Sequence, residues 1–357
     1  MSAPLPLGTG TGTDTDPPRR SRARDLGIDA ARGLALVSMF VAHFAPAPGP
    51  GGILDLSEYL TAPLFAFLIG WGAELGRGRH GEVVAVLVRA AALVGIGLLL
   101  ERTDAQIVVV LVWLGALTLL CLVLVRLPSL ALLGIAVALY VLEPRLLTST
   151  STALRDWRFE RLMAGGTADG LYPRLLELTA AGPYYRLTSM LVVACLGIVL
   201  ARYAGRLVTV ASLAGCGLVA AGMIGAQRAG TLDMAPYTGT PAVLTFEVVL
   251  VVAVVQAVRL AATYVPAGAR PLADAGRVTL TAYTVQILVA HQWVQDREPG
   301  FRDDSWALMA AMVVGSLALG WLWPRIVRWE PWARGPVEGL ERGLARGITA
   351  GIDRVRR

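Results

Sequence analysis

Lysine is missing from this chain, and all 32 of its basic residues are arginine. Charge is scarce as well: only 16% of the 357 residues are charged and 55% are hydrophobic, where a soluble domain carries roughly 25% charge. With a mean hydropathy of +0.60, the chain cannot be solvated as an ordinary globule. Cysteine is limited to Cys121, Cys195 and Cys216, too widely spaced for a local metal motif and odd in number, which excludes a disulfide framework; they read as small packing residues. No Gly-rich phosphate loop, metal-ligand spacing or Ser-His-Asp signature occurs, so no metal is assigned. The first 25 residues have no apolar core and the first hydrophobic run is interrupted by Arg32, which argues against a cleaved signal peptide.

What the chain does have is hydrophobic runs close to the ~20 residues that span a bilayer. They fall near residues 27–46, 57–76, 83–101, 105–125, 128–143, 184–202, 207–225, 241–263, 277–294 and 305–327. The reading is therefore an all-α, polytopic membrane bundle of about ten helices in one domain, 26–328. Residues 1–25, rich in Gly, Thr, Pro and Arg, read as a disordered tail. The stretch 144–183 reads as a long outer loop. Residues 329–357 form a tail in which Val337, Leu340, Leu344 and Ile348 recur at helical spacing with Arg342 and Arg346 opposite, the pattern of a helix lying on a membrane surface.

Arginine placement orients the bundle. With both termini cytoplasmic, the inner segments carry about twice as many arginines as the outer ones, most outer arginines lying in the one long loop. Trp321, Trp323, Trp329 and Trp332 then fall at the inner headgroup level. The expected location is the cell membrane. The net charge of +6 is explained by topology and anionic lipid, so nucleic acid is not expected as a partner.

Ionisable groups inside a span are costly, ~2.5–3.5 kcal/mol for a central arginine on insertion scales, so each should have a partner or a task. On the first span Asp29 and Arg32 share a helix face, with Arg24 just before it and Gly33 beside it. His43 follows Arg32 by eleven residues, which at about 100° per residue returns it to nearly the same direction, about 16 Å further along. On the ninth span Arg277, Thr281, Thr284 and His291 form a second polar stripe. Two of the three histidines thus close such stripes, while His80, among Arg77 and Arg79, reads as solvated.

These stripes imply a lumen, basic at its inner mouth and able to move protons at its outer end. Arginine's planar fork suits a phosphate-bearing ligand, and histidine is the natural general base. Plainer alternatives exist for each residue: a structural Asp29–Arg32 ion pair, interfacial histidines, satisfied carboxylates at Glu74 and Glu247, and helix-packing roles for Tyr283 and Gln286. A permeation path for a small polar or lipid-linked molecule would use the same stripes, though the paired broken helices of such transporters are not evident.

The run RDLGIDAARGLALVSMFVAH, carrying Arg24, Asp29, Arg32 and Gly33, resembles the opening of transmembrane acyltransferases related to heparan-alpha-glucosaminide N-acetyltransferase and their bacterial membrane relatives. APLFAFLIGWGAELG, LADAGRVTLTAYTVQ and GPVEGLERGL are further points of similarity. The resemblance implies acyl transfer across the membrane, from cytoplasmic acyl-CoA, acetyl-CoA in the first instance, to an extracytoplasmic hydroxyl or amine such as a sugar's. On that expectation Arg24, Arg32 and Arg277, with Thr281 and Thr284, hold the coenzyme, and His43, which matches a polar position of the family, serves proton transfer with His291 and Asp29, either for direct attack or through an acyl-histidine. Residues 44–57 contain no histidine where the family enzyme has one, which leaves His43 or His291 as the replacement. A homodimer is left open.

Overall fold

The computed structural model describes residues 25–103, 105–207, 209–295, 297 and 304–356, the side chains of 204–207 excepted. Most of residues 1–25, Arg24 included, therefore lies outside the described residues.

The first helix shows how local sequence starts an element. Asp25 is the N-cap of α1 (Leu26–Phe44), its Oδ1 accepting from the N–H groups of Gly27 at 3.0 Å and Ile28 at 3.2 Å, which satisfies two of the donors a helix start leaves bare. Helices α2 (Leu56–Gly76), α3 (Glu82–Leu100), α4 (Leu111–Leu124), α5 (Ser129–Met163), α6 (Leu171–Leu176), α7 (Leu187–Leu207), α8 (Val210–Arg228), α9 (Pro241–Tyr264), α10 (Pro266–Ala275), α11 (Thr279–Gln295), α12 (Trp306–Ile326) and α13 (Pro336–Val355) follow. All ten expected hydrophobic segments are helical, and no strand occurs among the described residues. Seven helical segments, α1, α2 with the turn before it, α3, α5, α8, α9 and α12, are long and apolar enough to cross a membrane. Helices α4 and α7 offer shorter apolar stretches. The chain is a polytopic all-α membrane protein.

The stretch 144–183 differs from the expected loop. Helix α5 passes through Pro144 and runs to Met163, and at ~1.5 Å per residue its 35 residues exceed the ~30 Å hydrocarbon thickness. Its far half therefore projects beyond the apolar layer. An ion pair from Arg158 to Glu177 at 2.6 Å and a Trp157–Tyr172 ring contact at 5.8 Å fold α6 and the π-helical turn Glu177–Ala181 back onto it. Polar composition reads as loop; here it is the surface of a helix outside the apolar zone.

Glycine sets how closely the central helices approach. A Cβ on Gly33 would lie 1.9 Å from the carbonyl oxygen of Leu272, and one on Gly276 would lie 2.0 Å from that of Asp29. This reciprocal pair presses α1 against α10, the short helix that also packs on α12. Helix α2 packs on α1 and α7, α9 on α1 and α8, and α13 against α3 and α11.

Candidate active site

The asymmetry of the bundle lies along α1. At one end, Arg32 Nη1 donates to Asp29 Oδ1 at 2.8 Å, with the Asp29 side chain buried and the guanidinium partly exposed. Arg277, in the turn between α10 and α11, reaches the same space, with Nη1 at 2.9 Å from Asp274 Oδ1 and Nε buried without a partner among the described residues. Two adjoining cavities meet there and share Arg32, Gly72, Gly76 and Arg342. One, of about 280 Å³, adds Arg89 and Arg277. The other, of about 430 Å³, adds Arg79 and Arg334. Together they fall within the ~300–1,000 Å³ of ligand pockets. The smaller cavity also runs inward along α2 from Gly76 to Phe65, past Thr118 and Cys121 of α4; that stretch of α2 spans about 16 Å. The result is a mouth lined by six arginines and by the carboxylates of Asp25, Asp29, Glu82, Glu338 and Glu341, opening into an apolar slot.

The string GPVEGLERGL forms one wall of this mouth. Glu338 of α13 caps α11: its Oε1 accepts from the N–H groups of Leu280 at 2.8 Å and Thr281 at 3.1 Å, and its Oε2 from Thr281 Oγ1 at 2.6 Å. The Val337 N–H donates to Thr281 Oγ1 at 3.2 Å. Burial pushes the Glu338 carboxyl above the usual carboxylate range, against the pull of the Thr281 and Leu280 donors. Gly335, at φ 115°, makes the capping possible, since a Cβ there would lie 2.3 Å from Glu338 Oε2. Thr281 is therefore held inside the protein, and Thr284 Oγ1 donates to the Leu280 carbonyl of its own helix at 2.9 Å.

His43 stands at the other end of α1, and its Nδ1 lies 2.5 Å from Nε2 of Gln286, a fully buried residue of α11. Gln286 is nine residues from Arg277, half a turn around the helix from the polar stripe. The structure thus unites Arg32 with Arg277 and His43 with α11, but through Gln286 rather than His291. The Nδ1 of His291 is buried without a partner among the described residues. Asp29, fourteen residues from His43 on the same helix, lies about 21 Å from it along the axis and orients Arg32. Exposed His80 pairs with Asp353 Oδ2 at 2.9 Å.

Also at the His43 end, Glu58, Glu247, Tyr184, Tyr185 and Tyr237 line a cleft of about 30 Å³, room for about one water molecule. Arg186 braces it, donating to Glu143 Oε1 at 3.1 Å and to the carbonyls of Gly182 at 3.0 Å and Tyr237 at 3.1 Å.

The family model described as "Heparan-alpha-glucosaminide N-acetyltransferase, catalytic" matches residues 24–207, more than half of the chain. The chain belongs to that family. It is accordingly a member of a transmembrane N-acetyltransferase family, as the residues of α1 and α2 imply. The match takes in Arg32, His43 and the slot residues of α2 and α4, and it ends before α11. No curated protein matches the chain.

Sequence reasoning did not single out Arg79, Arg89 and Arg334 as part of the mouth, because they lie on the α2–α3 connection, on α3 and before α13, segments that only the packing brings together. Glu338 was no easier to find, because Arg342, four residues on along the same helix face, makes it read as half of an ordinary surface ion pair. Among the described residues no group of three or more His, Cys, Asp or Glu side chains is placed to hold a metal.

Proposed function

We propose that the protein transfers an acyl group, acetyl in the simplest case, from acyl-CoA in the arginine mouth to a hydroxyl or amine acceptor at the His43 end. The carrying observation is the mouth itself, where Arg32 and Arg277 share a cavity that continues into an apolar slot. Phosphates bound by several guanidinium groups make charge-assisted, often bidentate hydrogen bonds, and the buried, unpartnered Nε of Arg277 has a donor to offer. Arg79, Arg89, Arg334 and Arg342 offer further guanidinium donors in the same cavities. The slot suits the pantetheine arm, directed toward the half of the bundle where His43 lies.

In this reading the Nε2 of His43 takes the proton of the acceptor's O–H or N–H. The acceptor's oxygen or nitrogen attacks the thioester carbonyl carbon, the C–S bond breaks, and the coenzyme leaves as a thiolate that is then protonated. Asp29 holds Arg32 toward the cavity. With both termini in the cytoplasm, the arginine mouth faces the cytoplasmic acyl-CoA pool of a cell-membrane enzyme, and the acceptor, a sugar in the simplest case, arrives from outside. The exposed stripe Leu340, Leu344 and Ile348 sets α13 among lipid headgroups.

The test is His43→Ala in purified protein. Acyl transfer to a glucosamine acceptor should fall by about 10²–10⁴-fold, the range for losing a general base, while coenzyme A still raises the melting temperature by mass action. Turnover at the unaltered rate would remove His43 from the mechanism.

A further inference from the structure

The contact between His43 and Gln286 is a polar link between the proton-handling end of α1 and α11, and its chemistry constrains what His43 can do. Gln286 is fully buried, as are its neighbours Tyr283 and Ile287, so its amide has one fixed neighbourhood. The amide has an oxygen and a nitrogen that exchange places on a half-turn about its last bond, and the pairing with Nδ1 of His43 can therefore be made in two ways. With Nε2 of Gln286 donating to Nδ1, the imidazole proton sits on Nε2 of His43, and Oε1 of Gln286 is buried with no partner among the described residues. A histidine in that tautomer has no lone pair left to accept a proton from an acceptor. With the amide turned, Nδ1–H donates to Oε1, the amide NH₂ takes the position Oε1 held, and Nε2 of His43 is left with a free lone pair. Among the described residues no hydrogen bond involves Nε2 of His43.

We infer that Gln286 is a positioning residue whose side-chain oxygen accepts the Nδ1–H of His43, fixing the tautomer in which Nε2 is the base. This rests on the reading of His43 as the base, and it adds a residue from outside the segment matched by the family model. The arrangement follows the general logic by which the hydrogen bond on one imidazole nitrogen decides the chemistry of the other. A neutral amide in place of a carboxylate orients the ring without placing a second negative charge inside the apolar layer, where an unpaired carboxylate is expensive. It also couples catalysis to the seating of α11, because the helix whose start is capped by Glu338 carries the amide one and a half turns further on.

Two measurements decide it. In the first, kinetics of Gln286→Leu and Gln286→Glu are compared. The leucine variant keeps the volume and loses the acceptor; its kcat should fall by about 10²-fold or more, toward the His43→Ala rate, with the KM for acetyl-CoA unchanged. The glutamate variant keeps an acceptor oxygen in the same place and should recover kcat to within about tenfold of the parent. Undiminished kcat in Gln286→Leu overturns the inference even if His43→Ala is inactive, whereas an active His43→Ala enzyme overturns the parent reading instead. The second measurement needs no folded variant at Gln286. The chain has only three histidines, so ¹⁵N-histidine labelling gives three resolvable rings, and the His43 signal is the one lost in His43→Ala. Protonated Nδ1 and unprotonated Nε2 in the neutral ring support the inference, and the opposite tautomer overturns it.

Discussion

Replacing Glu338 by alanine should unlatch α13 from the arginine mouth. The carboxylate accepts two backbone N–H groups at the start of α11 and the Thr281 hydroxyl, and alanine leaves all three without that acceptor. A buried donor stripped of its partner costs ~1–3 kcal/mol, and the loss of a helix cap alone is worth ~0.5–2 kcal/mol. The hydroxyl can turn to another acceptor and water can enter at the mouth, so the low end applies to each donor and the expected sum is about 3 kcal/mol. At ~1.4 kcal/mol per tenfold, that raises the undocked population of α13 about 150-fold. Limited trypsinolysis reads this directly, since Arg342, Arg346 and Arg354 lie on the helix and cleavage tracks the open population when reclosing is fast. Cleavage in the last 20 residues should accelerate about 100-fold while cleavage elsewhere holds. Equal cleavage in the parent and the variant would refute the capping argument, and Glu338→Gln, which keeps one acceptor oxygen, should fall between the two.

Other outcomes follow from the same packing. Gly33→Ala drives a Cβ into the Leu272 backbone and should cost at least the ~1–3 kcal/mol of overpacking, read as a lower melting temperature, while Gly134→Ala, which meets nothing within 4 Å, should leave it level or raise it. Because burial raises the Glu338 carboxyl, its folded form holds a proton more tightly than the unfolded one. Stability should therefore decline as pH rises from the ordinary carboxylate range through the raised value, and that part of the slope should vanish in Glu338→Gln. Arg186→Met strands Glu143, which has no exposure, and should cost about 3–5 kcal/mol; a double variant with Glu143→Leu should recover much of it.

The sequence made the helices legible because apolar runs of span length leave few alternatives. It also made Arg32 and Arg277 legible as partners, since both sit at the same end of their polar stripes. The facing of α11 was not legible. Its polar stripe points one way and Gln286 the other, while apolar Val285 and Leu288 take the exposed face, so the period alone does not say which polar side meets α1. The stripe residue Thr281 is bound by Glu338 from 57 residues away, a contact no local pattern announces. The helical extension of α5 was missed because Pro144 marks a helix end in most settings, yet here the helix continues beyond it with Arg145 to Met163 as a polar, well-formed surface.

The most direct measurement is calorimetric titration of coenzyme A into the purified protein and into the Arg32→Gln, Arg277→Gln double variant. The parent should bind, and the double variant should bind at least 100-fold more weakly, because each lost charge-assisted hydrogen bond is worth about 1.5–3 kcal/mol. Equal affinity in the two proteins, or no binding to the parent, would contradict the assignment of the arginine mouth to the acyl donor.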